Sequence, residues 1–174
     1  LMSKEGEVAL NYLINDRGLK LSDIKDWKIG FASSSEANLG LFLKENQISE
    51  DFAETLGILR NGNYGKYSFF SNRIIFPIFG ETGDPIAFAG RILPLDNSRV
   101  KYINSPNTPV YDKGKTLYSS IFNNSVEIVD RKSIILAEGY FDVIALSKAG
   151  FSAVAACGTS FSERHLEMLL AGTR

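Results

Sequence analysis

The sequence predicts an α/β protein built in two parts, residues 1–129 and residues 130–174. Three observations lead to this expectation. The first third is acidic and rich in helical patterns, and the middle third is dense in aromatic and β-branched residues. In the last third, two apolar runs alternate with two helical patterns. The first part is therefore expected to be a mixed α+β unit, and the second the opening of an α/β sheet.

Four helices are expected in the first third. Residues 4–16 carry apolar side chains at helical spacing. Each of the other three patterns begins near a serine that favours a helix N-cap, namely Ser22, Ser35 and Ser49. Gly57 is a typical residue to end the last of them. Between the second and third helices, the run WKIGFA predicts a short extended segment.

A β-hairpin is expected in the middle third. Residues 67–79 (YSFFSNRIIFPIF) predict one strand, and residues 86–93 (IAFAGRIL) predict the returning strand after a turn at residues 81–84. Residues 94–114 contain several Pro, Asn and Ser and are expected to be irregular. Residues 119–130 are expected to form a helix.

The last third follows a strand–helix–strand–helix pattern. The run SIILAEG, which begins at Ser133, is typical of a buried parallel strand. A helix over 140–149, a strand over 152–157 and a helix over 161–170 are expected after it. Since α/β sheets usually have more than two strands, the sequence is expected to stop part-way through this sheet.

Composition narrows the function classes. Hydrophobic residues make up 44% and charged residues 22%, as in ordinary soluble proteins. The single cysteine, Cys157, excludes an internal disulfide, and the sequence lacks the Cys/His spacing of a zinc site. There is no signal-peptide pattern and no run approaching the roughly 20 apolar residues that cross a membrane. We therefore expect a cytoplasmic protein without a membrane contact.

Charge is distributed unevenly along the chain. Residues 1–57 carry a net charge of −4, residues 58–115 a net charge of +4, and residues 116–174 a net charge of −1. The middle third is thus where a polyanion such as nucleic acid would be attracted. An uneven but merely solvated surface would give the same pattern, so charge alone leaves both interpretations open.

The strongest candidate catalytic residues are Glu138 and Asp142 in the run EGYFD. Glu138 ends a buried strand, where open α/β sheets bind their ligands, and Asp142 follows one helical turn later. Two carboxylates in one crevice suit Mg²⁺. The alternative is that Glu138 is an acid favoured by a helix start and that Asp142 forms a surface ion pair.

Cations gather around the irregular segment and form the candidate nucleic-acid-binding set. Arginine and lysine suit phosphate contacts, which hold a strand without reading its sequence. Each of these cations alone would be an ordinary surface charge; their clustering favours binding. The set is Arg73, Arg91, Lys101, Lys113 and Lys115, with Asn104 as a further hydrogen-bonding group.

Two other conspicuous residues are expected to have no catalytic role. His165 is the single histidine and has no nucleophile motif near it, so we expect it to be structural or exposed. Cys157 is expected to be a small core side chain.

Several blocks, taken in order over almost the whole chain, resemble the bacterial DnaG-type DNA primase family. The opening AxxYLxxRGL pattern spans residues 9–19, and the run IGFA follows it. The next blocks are NRIIFPI, FAGR, KYINSPNT and YDKGKTLY. EGYFDV resembles the first motif of a Toprim domain, and CGTSFS resembles the loop after its second strand. Residues 1–129 thus resemble the N-terminal subdomain of the primase catalytic core, and residues 130–174 the first half of a Toprim domain.

The resemblance implies a nucleotidyltransferase, specifically a DNA-directed RNA polymerase that makes short RNA primers for replication. Its implied partners are a single-stranded DNA template, ribonucleoside triphosphates and a replicative helicase, which binds through a domain outside this chain. The complete enzyme is implied to use Mg²⁺ or Mn²⁺. Zinc belongs only to a separate N-terminal domain of the family.

The resemblance also assigns roles by motif position. Glu138 matches the Toprim glutamate involved in metal binding or catalysis, and Asp142 matches the acid that follows it. The remaining matches concern nucleic acid. The template-guiding basic surface is matched by Arg73, Arg91 and Lys101, and nearby motif positions are matched by Asn104, Lys113 and Lys115.

This sequence departs from the family pattern in three ways. Ala89 stands where a second glycine is common, and the run SFFS lacks charged residues often found there. The chain ends at Arg174, before the expected Asp-x-Asp strand, so we expect this fragment alone to have little or no polymerase activity. Two other functions stay open: another Toprim enzyme, such as a phage primase–helicase, a topoisomerase or a nuclease, or a non-catalytic scaffold that binds single-stranded DNA.

Overall fold

A computed structural model describes residues 1–94, 96, 100–119, 121, 123, 130–158 and 160–172. The helices in these residues are α1 (Glu7–Asn11), α2 (Leu21–Asp26), α3 (Glu36–Glu45), α4 (Glu50–Thr55), α5 (Tyr140–Lys148) and α6 (Glu163–Gly172). The strands are β1 (Gly30–Ala32), β2 (Leu59–Gly62), β3 (Gly65–Ser68), β4 (Arg73–Phe79), β5 (Pro85–Ile92), β6 (Tyr102–Asn104), β7 (Leu117–Ser119), β8 (Asp130–Leu136) and β9 (Phe151–Ala156).

The predicted first helix is present as one continuous helical run. A 3₁₀ turn at Lys4–Gly6 leads into α1, and a π-helical turn at Tyr12–Asp16 follows it. This run buries Ala9, Tyr12 and Leu13 against the core. Three of the four residues predicted for the apolar face are therefore buried, whereas the fourth, Val8, is 50% exposed.

The helix starts agree with the serine signals at two of three places. The Ser49 hydroxyl accepts a hydrogen bond of 3.1 Å from the Phe52 N–H and caps α4, and Ser35 directly precedes α3. The expectation that Ser22 caps a helix is wrong. The N-cap of α2 is Lys20, two residues earlier, and the Asp23 carboxylate accepts a 2.7 Å hydrogen bond from the Lys20 N–H.

The first sheet is antiparallel, with the strand order β1-β4-β5-β6. Its centre is the predicted hairpin, in which Phe76 pairs with Ala89. The predicted strand over 67–79 is in fact two strands. The chain turns between Ser68 and Arg73, with Asn72 at a φ of +58°, so that β3 pairs with β2 while β4 joins the main sheet.

Besides β2, two further short strands lie where none was expected. β6 falls in the stretch predicted to be irregular and pairs with β5, and β7 begins just before the predicted helix over 119–130. Most of that predicted helix lies outside the described residues. β6 matters for the site because its pairing sets Asn104 beside Ala89 and Tyr102 beside Arg91.

The second sheet has the strand order β7-β9-β8. β8 and β9 are parallel and α5 connects them, while β7 runs antiparallel to β9. This arrangement confirms the strand–helix–strand–helix pattern. The observed strand β9 lies one residue earlier than the predicted one.

One hydrophobic core joins both sheets. The Phe76 ring of β4 stacks on the Tyr140 ring of α5, with centroids 5.6 Å apart and an interplanar angle of 17°. Trp27 stacks on Tyr118 of β7 at 5.3 Å. None of the helices in the described part of the chain has the length and apolar character needed to traverse a bilayer.

Candidate active-site crevice

A crevice of about 780 Å³ opens between the two sheets. Its walls come from β6, from the carboxyl end of β8 with the start of α5, and from the segment after β9. The chemically important side chains in its lining are Arg17, Lys101, Asn104, Glu138 and Asp142.

The two predicted carboxylates share this crevice. Glu138 lies two residues after the end of β8, and Asp142 lies in the first turn of α5. Gly139 precedes that helix in an extended conformation, and its carbonyl accepts the N–H of Val143 at 3.1 Å. Both carboxylates are exposed near a helix N-terminus, where negative charge is favoured. The structure therefore brings together the pair that the sequence singled out.

The two carboxylates suit a divalent metal ion that takes its other ligands from water and from a bound substrate. Among the described residues, no three His, Cys, Asp or Glu side chains come together as a metal-binding group. Mg²⁺, however, is typically bound through one or two carboxylates, with waters and phosphate oxygens completing its shell. Glu138 and Asp142 fit that mode of binding.

Asn104 is held in the crevice wall by two neighbours. Its Oδ1 accepts a hydrogen bond from the Tyr140 hydroxyl. Its Nδ2 lies against Gly158, since a Cβ built at Gly158 would approach it to 2.3 Å. Gly158 also has a φ of +75°, in the left-handed region that favours glycine. The glycine of the CGTSFS block is thus required both by its backbone and by the side chain facing it.

Arg73 and Arg91 lie beneath the surface rather than on it. Only 7% of Arg73 and 5% of Arg91 are exposed. The Arg73 Nη1 donates to the carbonyls of Gly90, Val100 and Lys101 at 3.4, 3.1 and 3.5 Å. Arg73 was predicted to belong to the nucleic-acid-binding set, but in the structure its guanidinium supports the backbone next to Lys101. Its direct contact with nucleic acid remains a prediction.

Arg91 is buried for a different reason. Its guanidinium lies 4.4 Å from the centroid of the Tyr12 ring, and its Nη1 donates to the Ile92 carbonyl at 3.0 Å. Cation–π packing partly replaces the lost hydration of the charge. Gly90, beside Arg91 in the chain, leaves room for the other buried arginine, since a Cβ there would lie 2.9 Å from the Arg73 Cδ.

Lys101 is exposed and lines the crevice, whereas Lys113 and Lys115 lie on a neighbouring turn that does not line it. Lys115 forms a partly exposed ion pair with Asp112 at 3.5 Å. Lys113 is half-buried, and its backbone is hydrogen-bonded on both sides. Of the predicted cations, Lys101 is thus the one that shares the crevice with the two carboxylates.

Among the crevice residues that were not selected from the sequence, Arg17 and Tyr140 have polar contacts that bear on the site. Arg17 lines it with its guanidinium 4.6 Å from the centroid of the Phe141 ring, and its Nε donates to the Tyr12 hydroxyl oxygen. Tyr140 supplies the hydrogen bond to Asn104, and burial raises its pKa far above the usual range, so the phenol stays protonated. Arg17 lies in the AxxYLxxRGL block and Tyr140 in the EGYFDV block, so these two sequence motifs could have drawn attention to them.

Cys157 is a core residue, as expected. It is fully buried, and burial raises the pKa of its thiol to about 11. The Tyr111 and Tyr140 phenols and the Tyr118 backbone lie beside the thiol and partly oppose this rise in its pKa. At neutral pH the thiol is therefore protonated and has no nucleophilic role.

Comparison with known proteins identifies two family models along the chain. Residues 1–123 match the N-terminal domain of the DNA primase catalytic core, and residues 132–173 match a Toprim domain. The DNA primase of Listeria innocua is 36% identical over 170 residues, which cover 96% of this chain and 26% of that protein. The DNA primase of Rickettsia felis is 41% identical over 164 residues, covering 92% and 26%. The chain thus spans about a quarter of these relatives.

Solved structures agree with this assignment. The RNA polymerase domain of the Mycobacterium tuberculosis primase DnaG matches with a TM-score of 0.86 and 30% identity, over 100% of this chain and 56% of that one. The Escherichia coli primase catalytic core matches at 0.82 and 33%, over 98% and 54%. A DnaG primase catalytic domain bound to single-stranded DNA matches at 0.81 and 32%, over 98% and 53%. The chain therefore belongs to the DnaG-type DNA primase family, of whose catalytic core it carries the N-terminal domain and the start of the Toprim domain.

Proposed function

We propose that this chain is part of a DNA primase, a DNA-directed RNA polymerase that makes short RNA primers on single-stranded DNA for replication. The observation that carries the proposal is the crevice in which Glu138 and Asp142 face Lys101, Asn104 and Arg17. Nucleotidyl transfer requires acidic groups that hold metal and basic groups that hold phosphate, and this crevice contains both.

Glu138 and Asp142 would hold the metal ion, which we propose to be Mg²⁺ or Mn²⁺. When bound, such an ion shields phosphate charge and helps align the attacking hydroxyl. Both ions prefer the carboxylate oxygens that these residues offer. Since the described residues contribute only two carboxylates to the crevice, we expect the isolated chain to have little or no polymerase activity.

The cations would hold the template and the incoming ribonucleoside triphosphate. Lys101 and Arg17 are exposed in the crevice, and their charges suit phosphate oxygens. Lys113 and Lys115 would extend this basic surface beyond it. A related catalytic domain bound to single-stranded DNA supports the proposed template. Arg73 and Arg91 would contribute indirectly. Arg73 holds the backbone carbonyls of Val100 and Lys101, and Arg91 packs on the Tyr12 ring.

Two further parts of the proposal concern the protein's setting. A replicative helicase would be contacted through a region that lies outside this chain, and zinc would be bound only by a separate domain. The work of such an enzyme on the chromosome would take place in the cytoplasm.

The test is primer synthesis by the complete primase that contains this chain, on single-stranded DNA with ribonucleotides and Mg²⁺. We expect Glu138→Gln to lower primer synthesis by about 100-fold or more, as for the loss of one electrostatic contact to a transition state. Single-stranded DNA binding should be retained. Glu81→Gln removes an exposed carboxylate from the hairpin turn by the same chemical change and should leave activity intact.

One outcome would favour a different function. If the unmodified protein binds single-stranded DNA but makes no primers where a known primase does, a non-catalytic scaffold becomes the better interpretation. If Glu138→Gln retains full activity, the metal role of Glu138 is wrong.

A further inference from the structure

His165 is completely buried at the start of α6 and uses both ring nitrogens. Its Nδ1 accepts a hydrogen bond of 3.2 Å from the Ser162 N–H. Its Nε2 lies 3.1 Å from the carbonyl oxygen of Lys113, which is 52 residues away in the sequence. Because Nδ1 is an acceptor here, the ring proton is on Nε2 and is donated to that carbonyl. The histidine therefore connects the Toprim part of the chain to the turn that carries Lys113.

The backbone of Lys113 is held on both sides. Its carbonyl accepts from His165, and its N–H donates to the Asn107 Oδ1 at 3.1 Å. The Asp112 carboxylate closes the same turn by accepting the Gly114 N–H at 2.9 Å. The Lys113 charge also lies near enough to Cys157, just after β9, to lower the pKa of its thiol. The backbone of Lys113, from which its side chain extends, is thus held in place.

We infer that His165 is a positioning residue that holds Lys113 where its ammonium group contacts a phosphate of single-stranded nucleic acid. This inference rests on the proposed function, in which Lys113 belongs to the basic surface. His165 is not itself among the residues that line the crevice, although its ring lies 5.5 Å from that of Phe161, which does. The hydrogen bond from its Nε2 to the Lys113 carbonyl is the contact that connects it to the basic surface.

A purely local role has to be separated from this one. The His165 N–H also donates to the Ser162 hydroxyl at 3.3 Å, so Ser162 and His165 exchange two hydrogen bonds at the beginning of α6. That exchange resembles a capping box and would stabilise the helix start even if Lys113 had no function. Each ring nitrogen has one of the two roles. Nδ1 bonds to Ser162 at the helix start, and Nε2 bonds to the Lys113 carbonyl.

Three variants of the complete primase exploit this division. His165→Gln keeps a donor at the position of Nε2, whereas His165→Asn keeps an acceptor near Nδ1 but is too short to reach Lys113. His165→Met has the length of Gln, fits an apolar setting and has no donor. Lys113→Gln removes the charge itself. The measurement is the affinity for an oligo-dT strand over a series of salt concentrations, with the thermal midpoint of each variant as a measure of stability.

Loss of one phosphate contact should reduce the slope of log affinity against log salt by about 0.7. We expect this reduction, with a several-fold loss of affinity, in Lys113→Gln, His165→Asn and His165→Met. His165→Gln should keep the slope of the unmodified protein, even if its thermal midpoint falls. Combining Lys113→Gln with His165→Asn should lower the slope no further than Lys113→Gln alone.

Two results would overturn the inference. If His165→Asn and His165→Met lower only the thermal midpoint while the slope is unchanged, His165 serves folding alone. If Lys113→Gln itself leaves the slope unchanged, Lys113 makes no phosphate contact and there is nothing for His165 to position. The second result would not touch the proposed primase function, which the Glu138→Gln experiment tests independently.

Discussion

The hydroxyl of Tyr140 donates a hydrogen bond to the Oδ1 of Asn104, and this bond joins the first residue of α5 to the last residue of β6. The Tyr140 ring is fixed by stacking on Phe76 and by an edge contact with Tyr118 at 4.7 Å. Because α5 carries Asp142 and β6 carries Asn104, this bond connects the side of the crevice that bears the carboxylates to the side formed by β6.

Replacing Tyr140 with Phe removes this bond but keeps the ring packing. We expect the free energy of unfolding to fall by about 1 kcal/mol, the usual net value of one hydrogen bond. Affinity for single-stranded DNA should fall as well, because Asn104 loses the partner that orients its amide. Urea denaturation and a DNA-binding titration measure the two effects.

Tyr118→Phe is the matched control for that substitution. The Tyr118 hydroxyl is also buried, but it finds no hydrogen-bond partner among the residues that the structure describes. Its removal should leave stability unchanged or raise it slightly, and DNA binding should not change. Equal losses of stability in the two variants would show that the bond to Asn104 is not the cause.

Gly158→Ala should distort the crevice as well as the backbone. A left-handed backbone costs a residue with a Cβ roughly 1–2 kcal/mol, and the new methyl group would also push against Asn104. Gly18→Ala provides the comparison, since its φ of +64° is similar and no atom lies within 4 Å of its Cβ position. We expect Gly158→Ala to be the more destabilising of the two and the only one to weaken DNA binding. Thermal melting and DNA titration of both variants measure this, and identical behaviour would contradict it.

The elements that the sequence predicted well are those with local signals. The Ser49 hydroxyl and Gly57 mark the two ends of α4, and the structure uses both of them. The hairpin of β4 and β5 follows from its β-branched runs and its turn. The pairing of Glu138 with Asp142 in one crevice also follows locally, because a strand end and the next helical turn lie on the same side.

The features that the sequence missed depend on contacts between distant residues. β6 and β7 have three residues each, and only their pairing with β5 and β9 makes them strands. The burial of Arg73 depends on carbonyls of residues 90, 100 and 101, which no local pattern reveals. Arg17 enters the crevice because its helix packs beside Phe141, far along the chain.

Arg73 is predicted to act on nucleic acid through Lys101. Arg73→Met removes a donor to three carbonyls, one of which belongs to Lys101. We expect a loss of about 1.5–3 kcal/mol in the free energy of unfolding, the range for hydrogen bonds to charged groups. Arg60→Met, which alters an exposed guanidinium stacked 3.8 Å from the Phe69 centroid, should cost less.

The salt dependence of DNA binding distinguishes this indirect role from a direct one. Lys101→Met should reduce the slope of log affinity against log salt by about 0.7 without a loss of stability. If Arg73 acts only through Lys101, adding Arg73→Met to that variant should leave the slope where it is. A further reduction of similar size would mean that Arg73 contacts a phosphate itself.

Cys157 should make the protein less stable as pH rises above 9. Burial raises the pKa of its thiol from 9.0 to about 11. Between these values the thiol ionises in the unfolded chain but stays protonated in the folded one, so the unfolded state binds fewer protons and stability falls with rising pH. The contribution is fully present below pH 9 and is lost as pH rises through about 11.

The comparison with Cys157→Ala isolates this effect from the buried tyrosines, because their phenols are about half ionised at pH 10 in the unfolded chain and lower the stability of both proteins alike. Cys157 should account for about 1 kcal/mol of the fall in the free energy of unfolding between pH 8 and pH 10. Urea denaturation of the unmodified protein and of Cys157→Ala at both values provides the measurement. The variant starts from a lower stability because it leaves a small cavity, but its fall should be smaller by that amount. An equal fall in both proteins would mean that the thiol ionises as readily in the folded state, and therefore that water reaches Cys157.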